Sequence, residues 1–154
     1  MKGDFFIDTN IIPYGFGDES KKRTISRSLM AYALRTGKAS ISLQVIQEFC
    51  NIALKKFQKA FSPSELRDYV RVSLHPLCKI YPSFELLDRA LRIYENHRLS
   101  YFDSLILSAA VEGHCRYLLT EDMNDGQEIE GVTILNPFDN EKGLLAALPE
   151  LKLV

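Results

Sequence analysis

Five short apolar runs alternate along the chain with segments of helical period: Phe5-Phe6-Ile7, Ala39-Ser40-Ile41-Ser42, Leu77 to Tyr81, Tyr117-Leu118-Leu119-Thr120 and Val132-Thr133-Ile134-Leu135. No other feature constrains the fold as much. Runs this short read as strands, and strands separated by helices are joined by crossovers that leave neighbours parallel. The predicted fold is therefore an α/β sandwich around a mostly parallel sheet. At 154 residues the chain fits one domain, 1–154, able to bury a core without disulfides or structural metal.

The segments between the runs carry their own punctuation. A helix over about 21–36 has an apolar stripe of Ile25, Leu29 and Ala33 and ends at Gly37. A second, over about 43–60, buries Val45, Phe49, Ala53 and Phe57. Ser62-Pro63-Ser64-Glu65 is a capping box with proline at the first helical position, and the helix it opens stops before Pro76. Helical spacing returns over 84–97. Ser100-Tyr101-Phe102-Asp103 opens the most apolar helix, Ser104 to Glu112, closed by Gly113, which has almost no polar face and is predicted to be buried on several sides. A short packing helix is expected at Leu144 to Leu148.

Composition removes several classes of function. With 46% hydrophobic and 25% charged residues the chain is neither disordered nor fibrous, and no apolar run is long enough to span a membrane. Met1-Lys2-Gly3-Asp4 leads at once into the first strand without a signal-peptide pattern, so a cytoplasmic protein is expected. Cys50, Cys78 and Cys115 form no C-x-x-C pair, and His75, His97 and His114 have no zinc-binding spacing; reduced, buried thiols and no structural zinc follow. The net charge of −1 gives no global attraction to nucleic acid. Lys21, Lys22, Arg23 and Arg27 make the first helix start basic, either as a solvated face or as a contact to a phosphate backbone; lysines there oppose the helix dipole, which favours a functional reason.

Acidic residues stand where the predicted elements begin and end. Asp8 follows the first strand, Glu48 lies early in the second helix, Asp103 starts the buried helix, and Asp122 and Asp125 sit in the loop after Thr120. Singly, each has a structural explanation: a turn or cap for Asp8, a capping partner of Ser100 for Asp103, a solvent-facing position for Glu48, and turn chemistry for Asp122 and Asp125. Jointly, they converge above one edge of the sheet, where ligands bind in open α/β folds, while Asp4 falls at the opposite end and is excluded. Two carboxylates about 4 Å apart repel by about 4 kcal/mol at an effective dielectric near 20, so such a cluster calls for a divalent cation. Oxygen ligands without His or Cys suit Mg2+ or Mn2+, and the matching chemistry is phosphodiester hydrolysis.

Four stretches carry a resemblance: Phe6-Ile7-Asp8-Thr9-Asn10, Gln47-Glu48-Phe49, Phe102-Asp103-Ser104 with the apolar residues that follow, and Leu119 to Gly126. Together they resemble the PIN-domain ribonucleases, most closely the VapC-like toxins of prokaryotic toxin–antitoxin pairs. The resemblance implies a three-layer α/β/α sandwich and a Mg2+- or Mn2+-dependent endoribonuclease acting on RNA. It places Asp8, Glu48, Asp103 and Asp122 on the family's acidic positions, with Glu121 or Asp125 as alternatives to the fourth, and gives Thr9 and Asn10 an orienting role toward Asp8 or a metal-bound water. It further implies a homodimer and an antitoxin partner, and it assigns no role to the tail after about residue 138. Two other readings remain in view: an RNA-binding module of the same fold without turnover, and an aspartyl-nucleophile phosphatase, which needs a second acid where this chain has Asn10.

Overall fold

The structure, a computed structural model, describes residues 4–154; Met1, Lys2 and Gly3, part of the stretch read above as lacking a signal peptide, lie outside the described residues. Six strands form one sheet in the order β3-β2-β1-β4-β6-β5: β1 (Phe5–Ile7), β2 (Ala39–Ser42), β3 (Cys78–Ile80), β4 (Tyr117–Leu119), β5 (Glu128–Ile129) and β6 (Val132–Leu135). All neighbours are parallel except β5, which returns antiparallel on β6. The chain builds outward from β1 through β2 to β3, then crosses back to place β4 on the other side of β1. That reversal makes the carboxyl ends of β1 and β4 a topological switch point, where an open sheet leaves a crevice.

Phe5, Phe6 and Ile7 are each fully buried. Successive strand residues point to opposite faces, so both faces of β1 must be covered. Helices α1 (Lys21–Thr36), α2 (Leu43–Lys56), α3 (Pro63–Tyr69), α4 (Phe84–Asn96), α5 (Tyr101–Glu112) and α6 (Glu141–Ala147) supply the outer layers of a three-layer α/β/α fold. The apolar α5 lies across β2, β4 and β6 and packs along α4. Ser108 and Arg89 tie those two helices: Ser108 Oγ donates to the Leu86 carbonyl at 2.8 Å, and Arg89 Nη1 donates to Ser108 Oγ at 3.2 Å.

Local chemistry sets most of the ends. Ser20, Ser42, Ser62, Ser83 and Ser100 cap their helices by accepting from a backbone N–H three residues on, and at Ser62 the Glu65 carboxylate completes the reciprocal box. Gly37, at φ 68°, ends α1 in the left-handed conformation glycine adopts freely. Several elements differ from the sequence expectation, among them α6, which runs over Glu141–Ala147 instead of Leu144 to Leu148. Helix α2 stops at Lys56, because the Phe57 and Phe61 rings turn onto Phe16 at 6.2 and 4.9 Å instead of continuing the helical stripe. Helix α3 runs on through a π turn (Val70–Leu74) and a 3-10 turn (His75–Leu77) that absorb Pro76, so β3 is shorter than expected. Helix α5 agrees with its expected opening over Ser100-Tyr101-Phe102-Asp103: it begins at Tyr101, directly after its Ser100 cap. Strand β5 was not anticipated; it is two residues long and turns through Glu130 and Gly131, at φ 49° and 84°, the doubly left-handed geometry of a tight hairpin.

The residues after 138 pack into the same core. Leu144, Leu148 and Leu151 are buried with the sheet residues, and the C-terminal Val154 N–H donates to Ser28 Oγ at 3.1 Å. Cys78 and Cys115 are buried, Cys50 is half-buried, and all three are free thiols. No described helix is long and apolar enough to cross a membrane.

Candidate metal centre

The register Ile7 opposite Leu119 sets the two residues that follow, Asp8 and Thr120, side by side beyond the strand ends. Thr120 Oγ1 donates to Asp8 Oδ2 at 2.8 Å, and the Thr9 backbone N–H donates to Asp8 Oδ1 at 2.7 Å. The same threonine oxygen accepts from Asn10 Nδ2 at 3.1 Å and from the Asp122 N–H at 3.2 Å. One hydroxyl therefore fixes Asp8, Asn10 and the start of the Asp122 loop together. Sequence reasoning read Thr120 only as the last residue of a strand; the one signal for it was its place at the end of a strand parallel to β1.

The N-terminal turn of α5 brings in Asp103, whose N–H donates to Ser100 Oγ at 3.1 Å. Asp8, Asp103 and Asp122 each present a carboxylate oxygen, and these oxygens lie within 4.8 Å of one another. Asp8 is buried, Asp103 half-buried and Asp122 exposed, so the group opens outward from the end of the sheet. Glu48 lines the same pocket from α2 without joining that group. It is held by Thr9 Oγ1, donating at 2.9 Å, and by Gln44 Nε2 at 3.3 Å.

The remaining acids of the loop are committed elsewhere. Asp125, expected among the metal ligands, accepts from the Asn136 N–H at 2.8 Å and from Asn140 Nδ2 at 3.1 Å; it ties the loop between β4 and β5 to the connection between β6 and α6 and stands outside the acidic group. Glu121 accepts from the Tyr14 hydroxyl at 2.5 Å and pairs with Lys22 at 3.1 Å. Of the three acids open for the fourth position, Asp122 is the one brought to Asp8 and Asp103. Asn10, its amide turned to Thr120 and its carbonyl oxygen accepting from the Glu121 N–H at 3.4 Å, offers no acid two residues after Asp8.

The basic start of α1 is largely occupied by internal partners. Lys21 pairs with Glu141 at 2.6 Å, and Arg27 Nε donates to the Gly15 carbonyl at 2.7 Å. Lys22, paired with Glu121, lies over the Tyr14 and Phe138 rings at 4.8 and 5.3 Å. Arg23 is half-buried on the first turn of α1.

Burial dominates the electrostatics. It pushes the Asp8 carboxyl up to about 7; the hydrogen bonds from Thr120 and Thr9 pull the other way, and the charges of Asp103 and Glu48 add to the rise. Burial likewise raises Asp103, opposed by its bond to Ser100 and assisted by the charge of Asp122. Asp8 and Asp103, both resisting ionisation and gathered with Asp122 in a pocket that no cationic side chain lines among the described residues, belong to a donor set that a cation would relieve. All the donors are hard oxygens, which suit Mg2+ or Mn2+.

The family model of the PIN domain matches residues 5–124, from β1 through the Asp122 loop. The chain belongs to the PIN-domain family. PIN domains are generally nucleases, hydrolases acting on nucleic acid, and the match takes in Asp8, Glu48, Asp103 and Asp122 but ends before Asp125. Among solved structures, this PIN domain is similar to a toxin–antitoxin complex from Klebsiella pneumoniae, at 23% sequence identity and a TM-score of 0.60 over 83% of this chain and 94% of that one. A likeness at that identity shows the fold. No curated protein sequence matches the chain significantly.

Proposed function

We propose that this PIN domain is a cytoplasmic, Mg2+- or Mn2+-dependent endoribonuclease and the toxin of a toxin–antitoxin pair. The observation that carries the proposal is the convergence of Asp8, Asp103 and Asp122 from three separate elements, with oxygens within 4.8 Å, at the switch point of the sheet. These three residues would hold the cation. When bound, it would supply Lewis-acid stabilisation of the charge that develops on the phosphate and lower the pKa of water. Glu48, oriented by Thr9 and Gln44, is the carboxylate outside the group and takes the role of proton acceptor from the attacking water. Thr120 and Asn10 keep Asp8 in place and are positioning residues.

The partners follow from the charge and from the kind of assembly the similar structure comes from. An acidic pocket of this kind accepts a basic side chain from an inhibiting segment, which is how a small antitoxin would silence it. A homodimer completes the proposed assembly. With RNA and either Mg2+ or Mn2+, the wild-type protein should cleave internally, and Asp103→Asn should lose at least about a hundredfold in rate while keeping the wild-type circular dichroism spectrum. Equal cleavage by wild type and Asp103→Asn would end the assignment.

A further inference from the structure

Glu121 and Asp122 are neighbours that face different sides of the loop after β4. Asp122 lines the acidic pocket with Asp8 and Asp103, whereas Glu121 lines the adjoining groove with Tyr14 and Lys56. Both Glu121 carboxylate oxygens are occupied: the Tyr14 hydroxyl donates to one at 2.5 Å, and Lys22 Nζ donates to the other at 3.1 Å. Lys22 is itself confined. Its Nζ reaches the Tyr14 hydroxyl at 3.4 Å and lies over the Tyr14 and Phe138 rings, which meet edge-on at 5.0 Å. Four side chains, from the 3-10 turn Pro13–Phe16, helix α1, the loop after β4 and the connection after β6, thus close on one point.

An ion pair this open to solvent, with 45% of the Lys22 side chain and 21% of the Glu121 side chain accessible, adds little stability by itself. Its place in the chain gives it another use. On one side of Glu121, Thr120 holds Asp8; on the other, Asp122 is the exposed member of the acidic group. Asp8 is fixed by burial, whereas Asp122 depends on the backbone that carries it. That backbone is tied by the Glu121 N–H to Asn10 Oδ1 at 3.4 Å and by the Asp122 N–H to Thr120 Oγ1 at 3.2 Å, and the pinned Glu121 side chain keeps the segment from rotating about those two bonds. Resting on the nuclease reading, we propose that Tyr14, Lys22 and Phe138 are positioning residues for metal binding: they anchor Glu121 and thereby hold Asp122 against Asp8 and Asp103. Lys22, its charge committed to a carboxylate and two ring faces, serves the cation site from the side and not the phosphates of a substrate. Phe138 lies beyond residue 124, where the PIN match ends, so the tail contributes to the site through it.

The test uses the full-length protein and Mn2+ alone, with binding followed by the electron paramagnetic resonance signal of the free ion well below the unfolding temperature, and RNA cleavage as a second readout. Tyr14→Phe, which removes only the hydroxyl, and Lys22→Met should each raise the Mn2+ dissociation constant about tenfold, the size of effect expected when groups that orient a ligand are lost. Lys22→Arg keeps the charge and the stacking on the rings and should bind Mn2+ as wild type does. Arg92→Gln, which breaks an exposed ion pair with Glu130, should leave Mn2+ affinity unchanged. Cleavage by Lys22→Met should be slow at low Mn2+ and recover as Mn2+ is raised, with KM for RNA unaltered. Wild-type Mn2+ affinity in either Tyr14→Phe or Lys22→Met overturns the proposal. So does a higher KM for RNA in Lys22→Met without loss of Mn2+ affinity, which would return the lysine to the substrate, and so does a wild-type protein that binds no Mn2+. Mn2+ binding that follows the expected order in a protein that cleaves no RNA would keep the anchoring and remove the nuclease reading instead.

Discussion

Asp8 is placed where its own charge is unwelcome, and this has a measurable consequence for the metal-free protein. Its carboxyl is raised to about 7 in the fold, chiefly by burial, against 3.8 in the unfolded chain. The folded state therefore binds a proton more tightly than the unfolded state, so the stabilising contribution is complete below about pH 4 and is lost as pH rises toward 7. The loss is on the order of 4 kcal/mol at most. In EDTA, urea unfolding should show lower stability at pH 7.5 than at pH 5, and Asp8→Asn should flatten that dependence while abolishing cleavage. A variant with the same pH slope as wild type would show that Asp8 is not the group responsible. Thr120 explains how such a residue stays in position: a hydroxyl can donate to one partner and accept from others, and here it does so for Asp8, Asn10 and the Asp122 loop at once.

The elements that frame the pocket are held by contacts far from it. Ser108 is fully buried and links α4 to α5 through Leu86 and Arg89. Ser108→Ala removes both bonds without adding bulk and should cost about 1 kcal/mol, read as a lower urea midpoint; an unchanged midpoint would show the link to be energetically idle. At this scale the sequence was a good guide to some things and blind to others, for physical reasons. Strands, caps and the acids at element ends were legible because each is written in a few adjacent residues, as with Ser62 to Glu65 or Ile7-Asp8. Thr120 was not, because its role depends on the register of β4 against β1, more than a hundred residues away in sequence. Asp125 and Asp122 are alike in sequence, and only the position of Asn136 and Asn140 separates them. The internal partners of the basic start of α1 were equally illegible, since Glu121, Glu141 and the Gly15 carbonyl are distant in the chain. Two-residue β5 is shorter than any periodicity can register.

At the scale of the whole molecule, the region matched by the family and the region needed for the fold are not the same. The match ends at residue 124, yet β6 pairs with β4 inside the sheet and Leu144, Leu148 and Leu151 close the core behind it. Each buried leucine is worth roughly 1.5–3 kcal/mol, against a net stability of about 5–15 kcal/mol for a typical domain. Deleting residues 139–154 should therefore lower the melting temperature by well over 10 °C or leave the protein insoluble, as a thermal melt would report; an unchanged melt would make the tail dispensable. The rims of the sheet have a consequence of another kind. β3 ends the sheet on one side with Lys79 exposed between two buried residues, and β5 ends it on the other with only two residues, Glu128 exposed. Short borders bearing an outward charge discourage the addition of a foreign strand. Backbone-to-backbone growth of the sheet is thus a poor route for self-association or capture, and recognition of this protein by any other must be written in the side chains of its helices and loops.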